Sequence, residues 1–195
     1  MLAGRELQAF LYRVVTTNSH VEMLIKEGRL REPVAPRARA EMARHALDDF
    51  SEQARVDARR MGDVYELLYC LENSVRVLIE STLREVLGAD RWWTDGVPGP
   101  VRTSAERRSA EDAGARWHGP RGDSLLVYVD FLQLGEIIAN RWDDFEDLLG
   151  DRAWMENYFK EMNRTRRALA HTGSLSQDDV DWMEMRVKQW LRVVG

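Results

Sequence analysis

Apolar residues recur every three or four positions at Val64, Leu67, Leu68, Leu71, Val75, Leu78, Ile79 and Val86. That interval places them on one broad face of an α-helix, whereas a half-buried strand would alternate. So wide an apolar face has to be covered, and the rest of the chain offers the same period to cover it. It returns at Met42, Ala46, Phe50 and Ala54, and at Leu134, Ile137, Ile138, Trp142, Phe145 and Leu149. It returns again at Trp154, Met155, Tyr158, Phe159, Met162 and Leu169, and at Val180, Met183, Val187, Trp190 and Val194. Only Leu125 to Val129 has β-branched and aromatic character, and it is too short to need a sheet. The pattern predicts an all-α protein.

Punctuation between these stretches sets the expected elements. Two short amphipathic stretches lie between Leu2 and Leu30, with a break near Thr16 to Ser19. Pro33 and Pro36 remove helix donors and mark a turn, and a helix is expected from Ala35 to Arg60. The strong helix follows as a separate element, closed by Gly88. Trp92 to Pro100 reads as a turn-rich loop, Val101 to Arg116 as an exposed helix, and Trp117 to Gly122 as another loop. Asp130 is placed to cap a helix from Phe131 to Leu149, which Gly150 ends before Asp151 caps the next. Ser176, with Asp179 three residues on, starts the last. The expected organisation is an N-terminal helical extension, residues 1–62, and a helical domain, residues 63–195. The extension shows no chemistry and suits a packing layer or a dimerisation arm.

Charge and cysteine content narrow the function classes. Against 33 acidic residues stand 28 basic ones, and the formal net charge is −5. A protein that coats nucleic acid without selection needs a broad cationic face, and this balance argues against one. A small basic site in an acidic molecule remains open. The single cysteine, Cys70, forbids an intrachain disulfide and a multi-cysteine zinc site. Lying in an apolar helical stretch, it is expected to be buried. No apolar run approaches about eighteen residues and no leader pattern opens the chain, so the expectation is a cytoplasmic protein with no membrane contact. Phosphate-loop, zinc-helix and nucleophile-elbow motifs are missing, and His20, His45 and His118 have no sequence-near ligand set. No cofactor and no metal are expected.

One segment concentrates chemistry. Met162-Asn163-Arg164-Thr165-Arg166-Arg167-Ala168-Leu169-Ala170-His171 holds three guanidinium groups and an imidazole in a −5 protein. Arginine keeps its charge and offers a fork of donors that fits phosphate oxygens. Histidine can carry a proton in either direction near neutral pH. Metal-free RNA cleavage needs that pair: a base for the ribose 2′-hydroxyl proton and a fixed cation for the charge that builds on phosphorus. Spacing alone is weak support. Lys26, Lys160 and Lys188 are the only lysines, so 25 of the basic residues are arginine. A basic helix end capped by His171, favoured by the helix dipole, produces the same pattern.

The surrounding blocks are more specific. They begin with Tyr65-Glu66-Leu67-Leu68-Tyr69-Cys70-Leu71-Glu72-Asn73-Ser74-Val75-Arg76, then Trp92-Trp93 with Gly96-Val97-Pro98. Trp117 follows, then Tyr128-Val129-Asp130-Phe131 leading to Asn140-Arg141-Trp142, and last Arg166 to His171 with Leu175-Ser176. In this order they resemble the HEPN superfamily, in the SWT-type branch seen in a eukaryotic nuclear mRNA-surveillance endonuclease and in bacterial relatives.

The resemblance implies an antiparallel helical bundle that dimerises through the motif-bearing helices, with two copies of the motif lining one cleft. It implies a metal-independent endoribonuclease of a toxin–antitoxin, phage-defence or RNA-processing setting, acting on single-stranded RNA or tRNA loops and leaving a 2′,3′-cyclic phosphate. Carried over by position, Arg166 binds phosphate and His171 is the general base or acid. Arg167, Arg164 and Asn163, on the same basic segment, are expected as further phosphate or RNA contacts. Glu72 and Arg76, four apart on one helix face, are placed to support Arg166 or His171. Arg167 departs from the motif, whose residue there is usually polar and uncharged: an arginine can bind phosphate but cannot orient the imidazole. The alternative is therefore a non-catalytic module that binds RNA or a partner protein, an antitoxin or a defence complex. A further HEPN toxin group carries a modifiable tyrosine two positions after the motif histidine, where this chain has Gly173.

Overall fold

The computed structural model describes residues 46–115, 121–171 and 173–194. The expected elements between Leu2 and Pro36, and Trp117, lie outside the described residues. Backbone packing divides the chain into Met1–Glu52 and Gln53–Gly195. Among the described residues the second unit is helical, without strands. Its elements are α1 (Glu52–Leu87), α2 (Trp92–Gly96), α3 (Gly99–Ala113), α4 (Phe131–Asn140), α5 (Glu146–Leu149), α6 (Arg152–Ala170) and α7 (Gln177–Val194), with 3-10 turns at Leu125–Tyr128 and Trp142–Asp144.

The spine is α1, 36 residues and about 54 Å long. Val64, Leu68, Leu71, Val75, Ile79 and Leu83 form its buried stripe. Two expectations fail on this helix. It is continuous through Arg60 to Asp63, so the break falls earlier, at residues 48–51. Asp48, Asp49 and Ser51 crowd there, and side chains of these types compete with a helix for its backbone groups. Cys70 and Val86 are exposed, not buried. Cys70 lies about 100° around the helix from Leu71, beyond the edge of the stripe, and Leu87 takes the inward position expected of Val86.

Two further elements differ from expectation. Trp92 and Trp93 open the short helix α2 instead of a loop. Trp92 is buried under the Arg84 guanidinium, 5.1 Å from its ring, and Trp93 Nε1 donates to Glu106 at 3.0 Å. The helix expected from Phe131 to Leu149 stops at Asn140, because Arg141 leaves helical geometry and bonds Asp144 at 2.5 Å across a 3-10 turn. Gly150 at φ 71° then ends α5.

An aromatic core joins α4, α6 and α7 behind α1. Phe159 packs on Phe131 with centroids 4.9 Å apart, and Tyr158 stacks on Trp190 at 5.7 Å. Burial pushes the Tyr158 hydroxyl well above the usual tyrosine range. Trp190 Nε1 donates to Ser74 on α1 at 2.9 Å, so the last helix is tied to the first. A Cβ on Gly135 would stand 2.8 Å from the Phe159 ring, which explains a glycine inside α4. Asp151 caps α6 by accepting from Ala153 and Trp154, and Ser176 with Asp179 forms a reciprocal cap before α7.

Candidate functional site

Helix α6 carries its apolar stripe through Met155, Tyr158, Phe159 and Met162, all buried. Four residues on, the same stripe presents Arg166. A cation therefore stands at a core-facing position of the stripe, between the buried Met162 and Leu169, which packs against the core again. It meets α1, whose second face, beside the apolar stripe, carries Tyr65, Tyr69, Glu72, Asn73 and Arg76. Arg166 Nε donates to Glu72 Oε2 at 3.3 Å, and Arg76 Nη2 donates to Glu72 Oε1 at 2.9 Å. Each oxygen of one carboxylate thus holds a different guanidinium.

Arg76 is pinned further, donating from Nε to the Leu126 carbonyl at 3.0 Å and from Nη1 to Asn73 Oδ1 at 3.3 Å. Asn73 in turn donates to the Tyr69 carbonyl at 2.8 Å. Glu72 and Arg76 are largely covered, at 14% and 15% side-chain exposure, whereas Arg166 is 35% exposed. Arg76 is structural in its bonding. Arg166 is held by one edge only, and among the described residues its Nη atoms have no hydrogen-bond partner.

Arg166 lines a groove of about 870 Å³ between α1 and the end of α6. Small residues keep it open, among them Ala58, Gly62, Ala170 and Gly173. Arg60 donates to Ser174 at 2.8 Å and Leu175 N donates to Met61 Sδ at 3.5 Å, fixing the segment after α6 against α1.

His171 lies elsewhere. It is the C-terminal cap of α6, its N–H donating to the Arg167 carbonyl at 3.2 Å, and it is exposed rather than groove-lining. Five residues of helix separate it from Arg166 by about 140° of rotation. It shares the outer face with Lys160, Arg164 and Arg167, all exposed. Among the described residues none of those three cations makes an ion pair. Asn163 is half-buried between the two faces. The structure therefore brings Arg166, Glu72 and Arg76 together, and sets His171, Arg164 and Arg167 on a neighbouring surface.

Tyr65 and Tyr69 also line the groove and were not singled out by residue type. Their signal in the sequence is an aromatic and polar stripe at 65, 69, 72, 73 and 76 running beside the apolar one. Among the described residues no three His, Cys, Asp or Glu side chains gather into a cluster. No described helix is long and apolar enough to cross a membrane.

A family model described as Swt1-like HEPN matches residues 66–195, two thirds of the chain. No curated protein and no solved structure matches it.

Proposed function

The chain belongs to the Swt1-like HEPN family, and from that membership we propose that it is a metal-independent endoribonuclease. A nuclease or other RNA-directed role is what the family suggests, and HEPN domains commonly bind RNA and dimerise. The observation that carries the reading is Arg166, fixed by Glu72 at the mouth of a groove with its Nη atoms open, on the same helix end as His171.

In this reading Arg166 receives the scissile phosphate and neutralises charge as the phosphorane forms. His171 takes the 2′-hydroxyl proton, the 2′-oxygen attacks phosphorus, the P–O5′ bond breaks, and the departing 5′-oxygen takes a proton from water. The product is a 2′,3′-cyclic phosphate. Arg164, Arg167 and Asn163 hold flanking phosphates. Glu72 is a positioning residue, and Arg76 anchors it. Because Arg166 and His171 face different ways on one helix, the reaction centre is completed by a second copy of α6 across a twofold axis. The setting is toxin–antitoxin or phage defence, with single-stranded RNA or a tRNA loop as target.

A second reading has its own observation: Glu72 already neutralises Arg166, and His171 does not line the groove. A non-catalytic module that binds RNA or a partner protein would look like this. Incubating total RNA with the wild type and with His171→Ala, in chelator, separates the two. The enzyme predicts cleavage by the wild type alone; intact RNA with both supports the module.

A further inference from the structure

We propose that Tyr65 and Tyr69 form a shelf on which unpaired bases stack while Arg166 holds a neighbouring phosphate. Both rings line the groove that Arg166 lines, and both stay largely in solvent, at 63% and 59% exposure. Their centroids are 6.3 Å apart with a 40° tilt, so they stand as two successive surfaces along α1. Neither hydroxyl has a hydrogen-bond partner among the described residues, and the core closes without either ring. Aromatic side chains left exposed in this way on one wall of a groove are ready to meet a planar ligand.

The groove's other lining groups favour nucleic acid over protein. Arg76 is tied to Glu72 and Arg121 to Asp112 at 2.5 Å, so the lining cation left to meet a ligand's phosphate is Arg166, with its Nη atoms open. Tyr69 and Tyr65 lie about 4.5 Å and about 10.5 Å along the α1 axis from Glu72, the residue that holds Arg166. A phosphate at Arg166 therefore leaves adjacent bases within reach of the rings. About 870 Å³ leaves room for a ligand of nucleotide size. Stacking on a ring tolerates every base, since each has a π-face, so the shelf selects single-stranded over paired RNA rather than one sequence over another.

The inference rests on the proposal that RNA enters this groove, but not on cleavage, and its test reads binding only. The full chain with His171→Ala is titrated with a labelled single-stranded decamer of uridine and with an abasic decamer of the same length. Tyr65→Leu and Tyr69→Leu, which keep apolar bulk but lose the π-face, should each weaken the uridine decamer about tenfold and leave the abasic one within twofold. The corresponding phenylalanine variants should bind both as the parent does. Equal binding of the uridine decamer by the leucine variants, or equal loss for both decamers, overturns the shelf. So does a leucine variant that keeps RNA affinity but changes oligomeric state, which would place the tyrosines in a protein interface. If the shelf behaves as described and the wild type still fails to cut RNA, only the nuclease reading falls.

Discussion

Glu72 holds two arginines at once, and its replacement separates structure from activity. Glu72→Ala leaves the covered Arg76 without its carboxylate, and a cost of about 1–3 kcal/mol is expected from urea unfolding. Glu72→Gln keeps an oxygen for Arg76 and removes an anion from the groove. RNA should then bind more tightly, because less negative charge faces the phosphate, while turnover falls about tenfold as Arg166 loses its fixed position. Titration beside single-turnover cleavage checks both signs, and a parallel fall in affinity and rate would contradict the assignment. Gly173 bears a different constraint. Its N–H donates to the Ala168 carbonyl at 2.8 Å, and a Cβ there would stand 2.9 Å from that same oxygen. Gly173→Ala should cost about 1–3 kcal/mol, read as a lower urea midpoint at unchanged slope. The position that carries a modifiable tyrosine in one HEPN toxin group is here taken up by the close turn after α6.

Among the elements, α6 shows most directly how much of the site is legible in sequence. Its core stripe and caps can be read from spacing, and so can Arg166 at the stripe's continuation. Glu72 and Arg76 are visible as a pair four apart. That Arg166 closes on Glu72 depends on packing between residues 94 positions apart, which no local pattern encodes. The misread elements have local causes of the same kind. Three acidic or hydroxyl residues at 48–51 outweigh a helical period, and an Arg141–Asp144 contact interrupts another. Cys70 is exposed because a residue flanked by apolar neighbours need not share their face. The N-terminal cap of α7 is legible and also titratable. Bonds from Ser176 hold the Asp179 carboxyl below its ordinary range, with the Arg164 charge adding to the effect. A lowered value means the cap stabilises the fold when ionised. That contribution is complete at neutral pH and is lost as the pH falls through the carboxylate range. Thermal melts of Asp179→Asn should therefore lie below the wild type at pH 7 and converge with it in acid.

Across the whole molecule, a net charge of −5 is compatible with RNA because the cations are gathered. Between residues 160 and 171 stand Lys160, Arg164, Arg166 and Arg167 against Glu161 alone, and Glu161 is engaged by Arg186 at 2.6 Å. One helix end thus offers an outer cationic surface around His171 and, in the groove, the open edge of the Arg166 guanidinium, on an otherwise acidic unit. The excess of acid elsewhere discourages unselective binding, and twofold pairing of α6 would bring both to one phosphate. The most direct test of this account is end-group analysis of a defined single-stranded RNA incubated with the purified chain in chelator. The account predicts 2′,3′-cyclic phosphate ends with the wild type and none with either Arg166→Ala or His171→Ala, both still folded. Cyclic ends that persist at the wild-type rate with His171→Ala would contradict it.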